Sequence, residues 1–181
     1  MNLFTKKEVK SLISISSTVC LTGHRPKLLP WGYDENKESC LNFKAEVKKV
    51  FKEVIECGLS TFLTGMAEGF DMIGAEILFE LRKTYKHIKV IAVVPCLGQE
   101  SRWSMKQQKR YKKILSECDD KIILSDKYTP TCMNIRNKYM VESSSVCIAC
   151  YNGKPSGTGN TVRFAKQNGN KVIIINPEEF R

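Results

Sequence analysis

Histidine is nearly missing from this chain: only His24 and His87 occur in its 181 residues. Cys147 and Cys150 form a CxxC with no second close cysteine pair to complete it. On a strand, residues three apart point to opposite faces, so those two thiols do not share a metal, and no zinc site is expected. Long apolar runs are missing as well. No segment reaches the ~20 residues that a membrane-crossing helix needs, so no membrane partner is expected. Lys6, Lys7 and Lys10 precede LISISSTVCLTG in the manner of a secretory leader. The centre of that stretch is serine-rich and no small-residue cleavage site follows, so the expectation is a cytoplasmic protein.

Acidic side chains are in deficit, 19 against 29 Lys and Arg, which leaves a net charge of +10. Such a balance suits an anionic partner. The lysines, among them Lys44, Lys48, Lys49 and Lys52, are spread over one helix surface rather than interleaved with aromatics. A small anionic ligand therefore fits better than a nucleic acid, which stays the lesser alternative. The eight cysteines are scattered through apolar stretches of a long chain, as buried free thiols of a reducing compartment would be.

What is present is a regular alternation. Apolar, β-branched runs at 18–22, 60–63, 88–94, 121–124, 146–151 and 171–176 read as strands. Between them lie amphipathic helical stretches. Leu41 to Cys57 carries Phe43, Val47, Val50, Phe51, Val54 and Ile55 on one side and ends at Gly58. A second stretch sets Met66, Phe70, Ile73, Ile77 and Leu81 on one face. A third holds Tyr111, Ile114 and Leu115. Further helices are expected over 132–141, where Arg136, Tyr139 and Met140 share a face, and over 159–168. The pattern predicts one α/β domain over residues 18–181, a mainly parallel sheet of about six strands between helices on both faces. Residues 1–17 read as an N-terminal extension, with a short helix or ordered tail over 3–15. The connection from Lys27 to Ser39, with the exposed-looking aromatics Trp31 and Tyr33, reads as a lid or a long connection.

In such folds ligands sit at the carboxyl ends of the strands, and the polar clusters fall there. They are TGHRP (Thr22–Pro26), TGMAEGFD (Thr64–Asp71), PCLGQESRW (Pro95–Trp103) and NGKPSGTGNT (Asn152–Thr161). The last is a phosphate cradle: glycines admit an anion close to the backbone, and the free N–H groups of a helix start hold it. TGMAEGFD is a second strand-to-helix turn with glycines and a second candidate anion site.

In combination these motifs, with RNKYM (Arg136–Met140) and SGTGNTVRFA (Ser156–Ala165), resemble the YpsA-like branch of the SLOG superfamily. That Rossmann-like group also contains the LOG phosphoribohydrolases and the DNA-processing protein DprA. The resemblance covers residues 18–177. It implies a pocket for a nucleotide or nucleotide-derived small molecule, of ADP-ribose or cyclic-nucleotide type, with no cofactor required.

By that resemblance Ser156, Gly157, Thr158, Gly159, Asn160 and Thr161 would hold phosphate, with Gly65, Met66 and Ala67 on the neighbouring wall. Arg136, beside Asn137, corresponds to the arginine that LOG enzymes carry ahead of their phosphate loop, and its planar fork suits two oxygens at once. Thr22, Gly23, His24 and Arg25 would add charge support or fix their loop. Asp71, Gln99, Trp103 and Tyr139 would meet base or ribose, although Trp103 and Trp31 serve equally well as plugs at the edge of the core. One departure bears on chemistry. LOG enzymes follow the glycine loop with a glutamate, in the pattern PGGxGTxxE, and here Val162 and Arg163 stand where it would fall. Ser156 likewise replaces a glycine.

A binding protein that senses or sequesters its ligand without chemistry is the first expectation. A LOG-like hydrolase of a nucleotide N-glycosidic bond, in which Arg136 and Asp71 would act, is the alternative, and a DprA-like single-strand binder a second. Self-association through exposed helix faces is also expected of this architecture.

Overall fold

The computed structural model describes residues 14–181. The extension's segment 3–13 lies outside the described residues, and Ile15–Ser17 forms a single 3₁₀ turn leading into the sheet. Six strands follow: β1 (Thr18–Gly23), β2 (Thr61–Thr64), β3 (Lys89–Val94), β4 (Asp120–Ile123), β5 (Val146–Cys150) and β6 (Lys171–Ile175). All neighbouring pairs are parallel, in the order β4-β3-β2-β1-β5-β6. Five α-helices connect them: α1 (Glu38–Glu56), α2 (Phe70–Leu81), α3 (Met105–Glu117), α4 (Cys132–Glu142) and α5 (Gly157–Gln167). The Rossmann-like three-layer α/β/α arrangement expected from the alternation is the one observed.

Alternate residues of each strand feed opposite faces of the sheet, as the two-residue period requires. On one face Val19, Leu21, Phe62, Val90, Ile148 and Cys150 pack against Phe43, Val47 and Phe51 of α1 and Phe70, Ile73 and Ile77 of α2. On the other face Cys20, Leu63, Ile91, Val93, Ile122 and Cys147 pack against Tyr139, Met140 and Val141 of α4 and Ala165 of α5. The two thiols of the CxxC thus belong to cores on opposite sides of the sheet. Beside α2, Ala92 and Val94 meet Tyr111 and Ile114 of α3.

Helix α1 stops where Gly58 takes φ 93°. Gly58 N–H then donates to Ile55 O at 2.9 Å and Leu59 N–H to Val54 O at 3.1 Å, the paired bonds of a Schellman cap.

Two readings of side chains change. Trp31 is not exposed: it is 2 % accessible, its ring 4.9 Å from that of Phe43. Glu35 binds Arg110 Nη1 at 2.5 Å and Lys44 Nζ at 2.7 Å. The connection after β1 is therefore anchored by a buried indole and an ion network, whereas Tyr33 is exposed as expected. Met66 does not belong to the helix after β2. It sits in the turn at φ 59°, outside the right-handed region, and α2 begins only at Phe70.

Candidate functional site

β1 and β5 are neighbours in the sheet although more than a hundred residues separate them, and chain progression reverses between them. That crevice is where the fold leaves room for a ligand. It holds a cavity of about 410 Å³, within the range of small-molecule sites. Its walls are Thr22, Gly23, His24, Arg25, Lys27 and Leu28 after β1, Ala67 and Asp71 after β2, Met133, Asn134, Arg136 and Asn137 of α4, and Ser156, Gly157 and Thr158 at the start of α5. A wider trough of about 650 Å³, bordered by Glu76, Phe79, Lys83 and Lys113, lies between α2 and α3, away from the strand ends.

The wall after β1 is fixed by close packing. Gly23 faces Phe70 so closely that an added Cβ would lie 2.5 Å from the Phe70 Cβ. Gly69, at φ 92°, brings its backbone against the His24 carbonyl, leaving no room for a side chain. His24 is 1 % accessible and its Nε2 lies 2.8 Å from Asn152 Oδ1. Lys154 N–H also donates to that oxygen, and the backbone N–H of Asn152 donates to His24 Nε2 at 3.2 Å. Burial lowers the histidine's pKa, opposed by the Asn152 bond. A neutral His24 thus latches the loop after β1 to the loop after β5.

The turn after β2 is closed on itself. Met66 N–H donates to Thr64 Oγ1 at 3.3 Å, Ala67 N–H to Asp71 Oδ2 at 3.2 Å, and Phe70 N–H to the His24 carbonyl at 3.3 Å. The carbonyl of Gly65 accepts from Arg136 Nη1 and that of Met66 from Gln99 Nε2 at 3.3 Å. These bonds engage the amides of Met66, Ala67 and Phe70, whereas those of Glu68, Gly69 and Asp71 have no partner among the described residues. The turn's contribution to the cavity is Ala67 and the side chain of Asp71.

Arg136 and Asp71 are each 5 % accessible. Arg136 Nε donates to Asn137 Oδ1 at 2.7 Å, and Asn137 Nδ2 to Thr161 Oγ1 at 2.9 Å, tying the arginine to α5. Burial raises the Asp71 pKa against the pull of Arg136, and burial lowers that of Arg136 against the pull of Asp71. Desolvation outweighs attraction on both sides of the pair.

At α5 the Ser156 side chain caps the helix, accepting from Gly159 N–H at 3.1 Å. The N–H groups of Gly157 and Thr158 have no partner among the described residues, and both residues border the cavity. Free N–H groups at the positive end of a helix dipole are chemically suited to an anion.

Several residues picked from the sequence stand elsewhere. Tyr139 is buried among the apolar side chains of the α4–α5 face. Trp103 packs edge-on to Tyr111, ring centres 5.6 Å apart, and Gln99 reaches the back of the β2 turn. Gly65 and Met66 lie behind Ala67, and Gly159 is pressed against Tyr151. Asn160 and Thr161 border a smaller groove of about 170 Å³ with Asn134, Asn137, Lys138 and Phe164. Four residues of the cavity wall were missed: Lys27, Leu28, Met133 and Asn134. The last two precede Arg136 and Asn137 by one helical turn, the spacing that would have found them.

Among the described residues no helix is long and apolar enough to cross a membrane. Comparison with solved structures gives the fold. The chain superposes on DNA processing protein A from Helicobacter pylori with a TM-score of 0.60 at 16% identity, covering 91% of this chain and 67% of that one. On DprA from Streptococcus pneumoniae the TM-score is 0.57 at 15% identity, and the matched part is 50% of that longer chain. Closer in sequence is the SPbeta prophage-derived protein YoqJ of Bacillus subtilis (strain 168), 31% identical over 153 residues, 76% of this chain and 90% of YoqJ. The UPF0398 protein BH1768 of Halalkalibacterium halodurans is 30% identical over 145 residues, 74% of this chain and 77% of that one. A family model described as the YspA SLOG family matches residues 19–179, from β1 to the last turn and across every wall of the cavity. With its fold, its crevice and its sequence in agreement, the chain belongs to the YspA SLOG family, the YpsA-like branch of the SLOG superfamily.

Proposed function

We propose that the crevice between β1 and β5 binds a nucleotide or nucleotide-derived ligand, of ADP-ribose or cyclic-nucleotide type, and that the protein is a cytoplasmic sensor or sink that does no chemistry on it. The observation that carries this reading is the pair of unengaged amides of Gly157 and Thr158, two residues that border the same cavity as Arg25, Lys27 and Arg136. Phosphate would sit on the α5 cradle, with cationic side chains on the facing walls. No cofactor is called for.

The side chains also bear on the hydrolase alternative. Of the two residues that stand where LOG enzymes place their glutamate, Val162 is 4 % accessible and Arg163 is exposed. Among the described residues Asp71 is the one carboxylate bordering the cavity, and Ala67 N–H already occupies one of its oxygens. That supports binding over bond cleavage.

The test is a thermal-shift screen against mononucleotides, ADP-ribose, NAD and cyclic nucleotides, each hit then incubated and recovered by chromatography. A ligand at ~100 times its Kd should add about 2.7 kcal/mol of stability. Recovery of the ligand unchanged supports the reading, and new products would make the protein an enzyme. The Helicobacter pylori neighbour is described as binding single-stranded DNA. Absence of any shift, with salt-dependent binding of oligonucleotides, would favour that role here instead. Light scattering with and without ligand tests whether the chain self-associates.

A further inference from the structure

Asp71 is an odd neighbour for a phosphate. Its Oδ2 accepts from Ala67 N–H, but among the described residues nothing donates to Oδ1. Oδ1 is nevertheless not one of the polar atoms sealed from solvent without a partner. The side chain borders the cavity, so the small opening left to this 95 %-buried carboxylate is the cavity itself. The charges facing it are Arg136 from α4 and Arg25 from the loop after β1. Neither makes an ion pair with it within 4.0 Å. A carboxylate oxygen so placed repels phosphate and calls for a hydroxyl or N–H donor. Nucleotides carry such donors on the sugar, a few bonds from the phosphate that the α5 cradle would hold.

We infer that Asp71 reads the sugar: the ligand of this cavity is a ribonucleotide-type molecule with a free ribose hydroxyl, and Asp71 is the residue that separates it from its deoxy counterpart. This inference rests on the nucleotide reading above and narrows it. A hydroxyl donating to Oδ1 makes a short, charge-assisted bond. A deoxy analogue leaves the buried carboxylate unpaired, which is how a site built around a hydroxyl rejects a ligand lacking it. The same geometry disfavours a DNA strand, whose sugars offer no 2′-hydroxyl and whose 3′-oxygens are esterified.

The experiment is calorimetric titration with the four ribonucleoside 5′-monophosphates and ADP-ribose, and with the 2′-deoxy and 3′-deoxy forms of the monophosphates that bind. The wild-type protein and Asp71→Asn are compared, with melting curves to establish that the variant is folded. Expected is a loss of roughly ten- to a hundredfold in affinity on removing one of the hydroxyls, with a smaller loss in Asp71→Asn. The wild-type pair alone decides the matter if the variant does not fold. Equal affinity for ribo and deoxy forms would overturn the inference and leave the nucleotide reading standing. Discrimination that follows the base's exocyclic amine and ignores the sugar would overturn it too, assigning Asp71 to the base. Failure of every ribonucleotide to bind would remove both.

Discussion

Arg136 Nη1 donates to the carbonyl oxygen of Gly65, clamping α4 to the turn that follows β2. Only a glycine allows this approach. A Cβ at position 65 would stand 2.5 Å from Arg136 Cζ and 2.7 Å from Asp71 Oδ2. Gly65→Ala should therefore displace the buried guanidinium, costing about 1–3 kcal/mol in urea unfolding and weakening any ligand held by the cavity. Arg136→Lys tests the same contact from the other side. Lysine cannot serve Gly65 and Asn137 together with a fixed fork, so loss of stability is expected there as well.

Asp71 gives stability a pH signature. Its folded pKa is raised, so between the ordinary value of 3.8 and that raised value the folded state holds a proton that the unfolded state has lost. Stability from this group is full below 3.8 and declines as pH rises through the window. Asp71→Asn, which cannot ionise, should match the wild type in acid and exceed it once the pH has risen through that window, as denaturation series at several pH values would show. A constant difference across pH would mean that Asp71 is not desolvated.

Ser156 caps α5 through its hydroxyl, a role no glycine fills in the same way. Ser156→Ala should cost about 1 kcal/mol and Ser156→Gly only a few tenths, in chemical denaturation. If Gly were the worse of the two, backbone freedom would outweigh the cap.

The two tryptophans should separate in acrylamide quenching, the half-buried Trp103 quenched and Trp31 protected. Trp31→Ala should cost about 3–5 kcal/mol, since it removes a buried indole from beside Phe43. A lid that opened freely would leave Trp31 quenchable and the variant nearly as stable.

Thiol titration of the native protein should show one fast group. Cys57 is exposed, Cys118 is partly covered, and the other six cysteines are buried. Burial pushes the Cys118 thiol up to about 12, so little reactive thiolate exists there.

The sequence made the sheet legible because each strand announces itself by a β-branched run and each helix by its apolar spacing. Ser156–Thr158 and the residues from Thr22 to Arg25 were readable for a related reason: motif and strand end coincide. Other residues misled because their partners are remote in sequence. The amides of Met66, Ala67 and Phe70 look free until Thr64, Asp71 and the His24 carbonyl are placed beside them. Tyr139 shares a helix face with Arg136, but at a rise of ~1.5 Å per residue it lies about 4.5 Å further from the cavity end of α4. Trp31 resembled a loop aromatic because nothing local reveals that Phe43 receives it.

The strand order sets a schedule for synthesis. Once Ile123 has left the ribosome, β1–β4 and helices α1–α3 are available to assemble, and they cover one face of the sheet. The other face then presents Cys20, Leu63, Ile91, Val93 and Ile122 to water, since α4 and α5 are not yet made. At translation speeds of ~5–20 residues per second, the stretch to Ala165 takes on the order of 2–8 s. For that interval the growing chain is an adhesive half-sandwich, open to chaperones and to its own siblings on a polysome, and the arrival of α4 and α5 closes the sticky face and completes the crevice together.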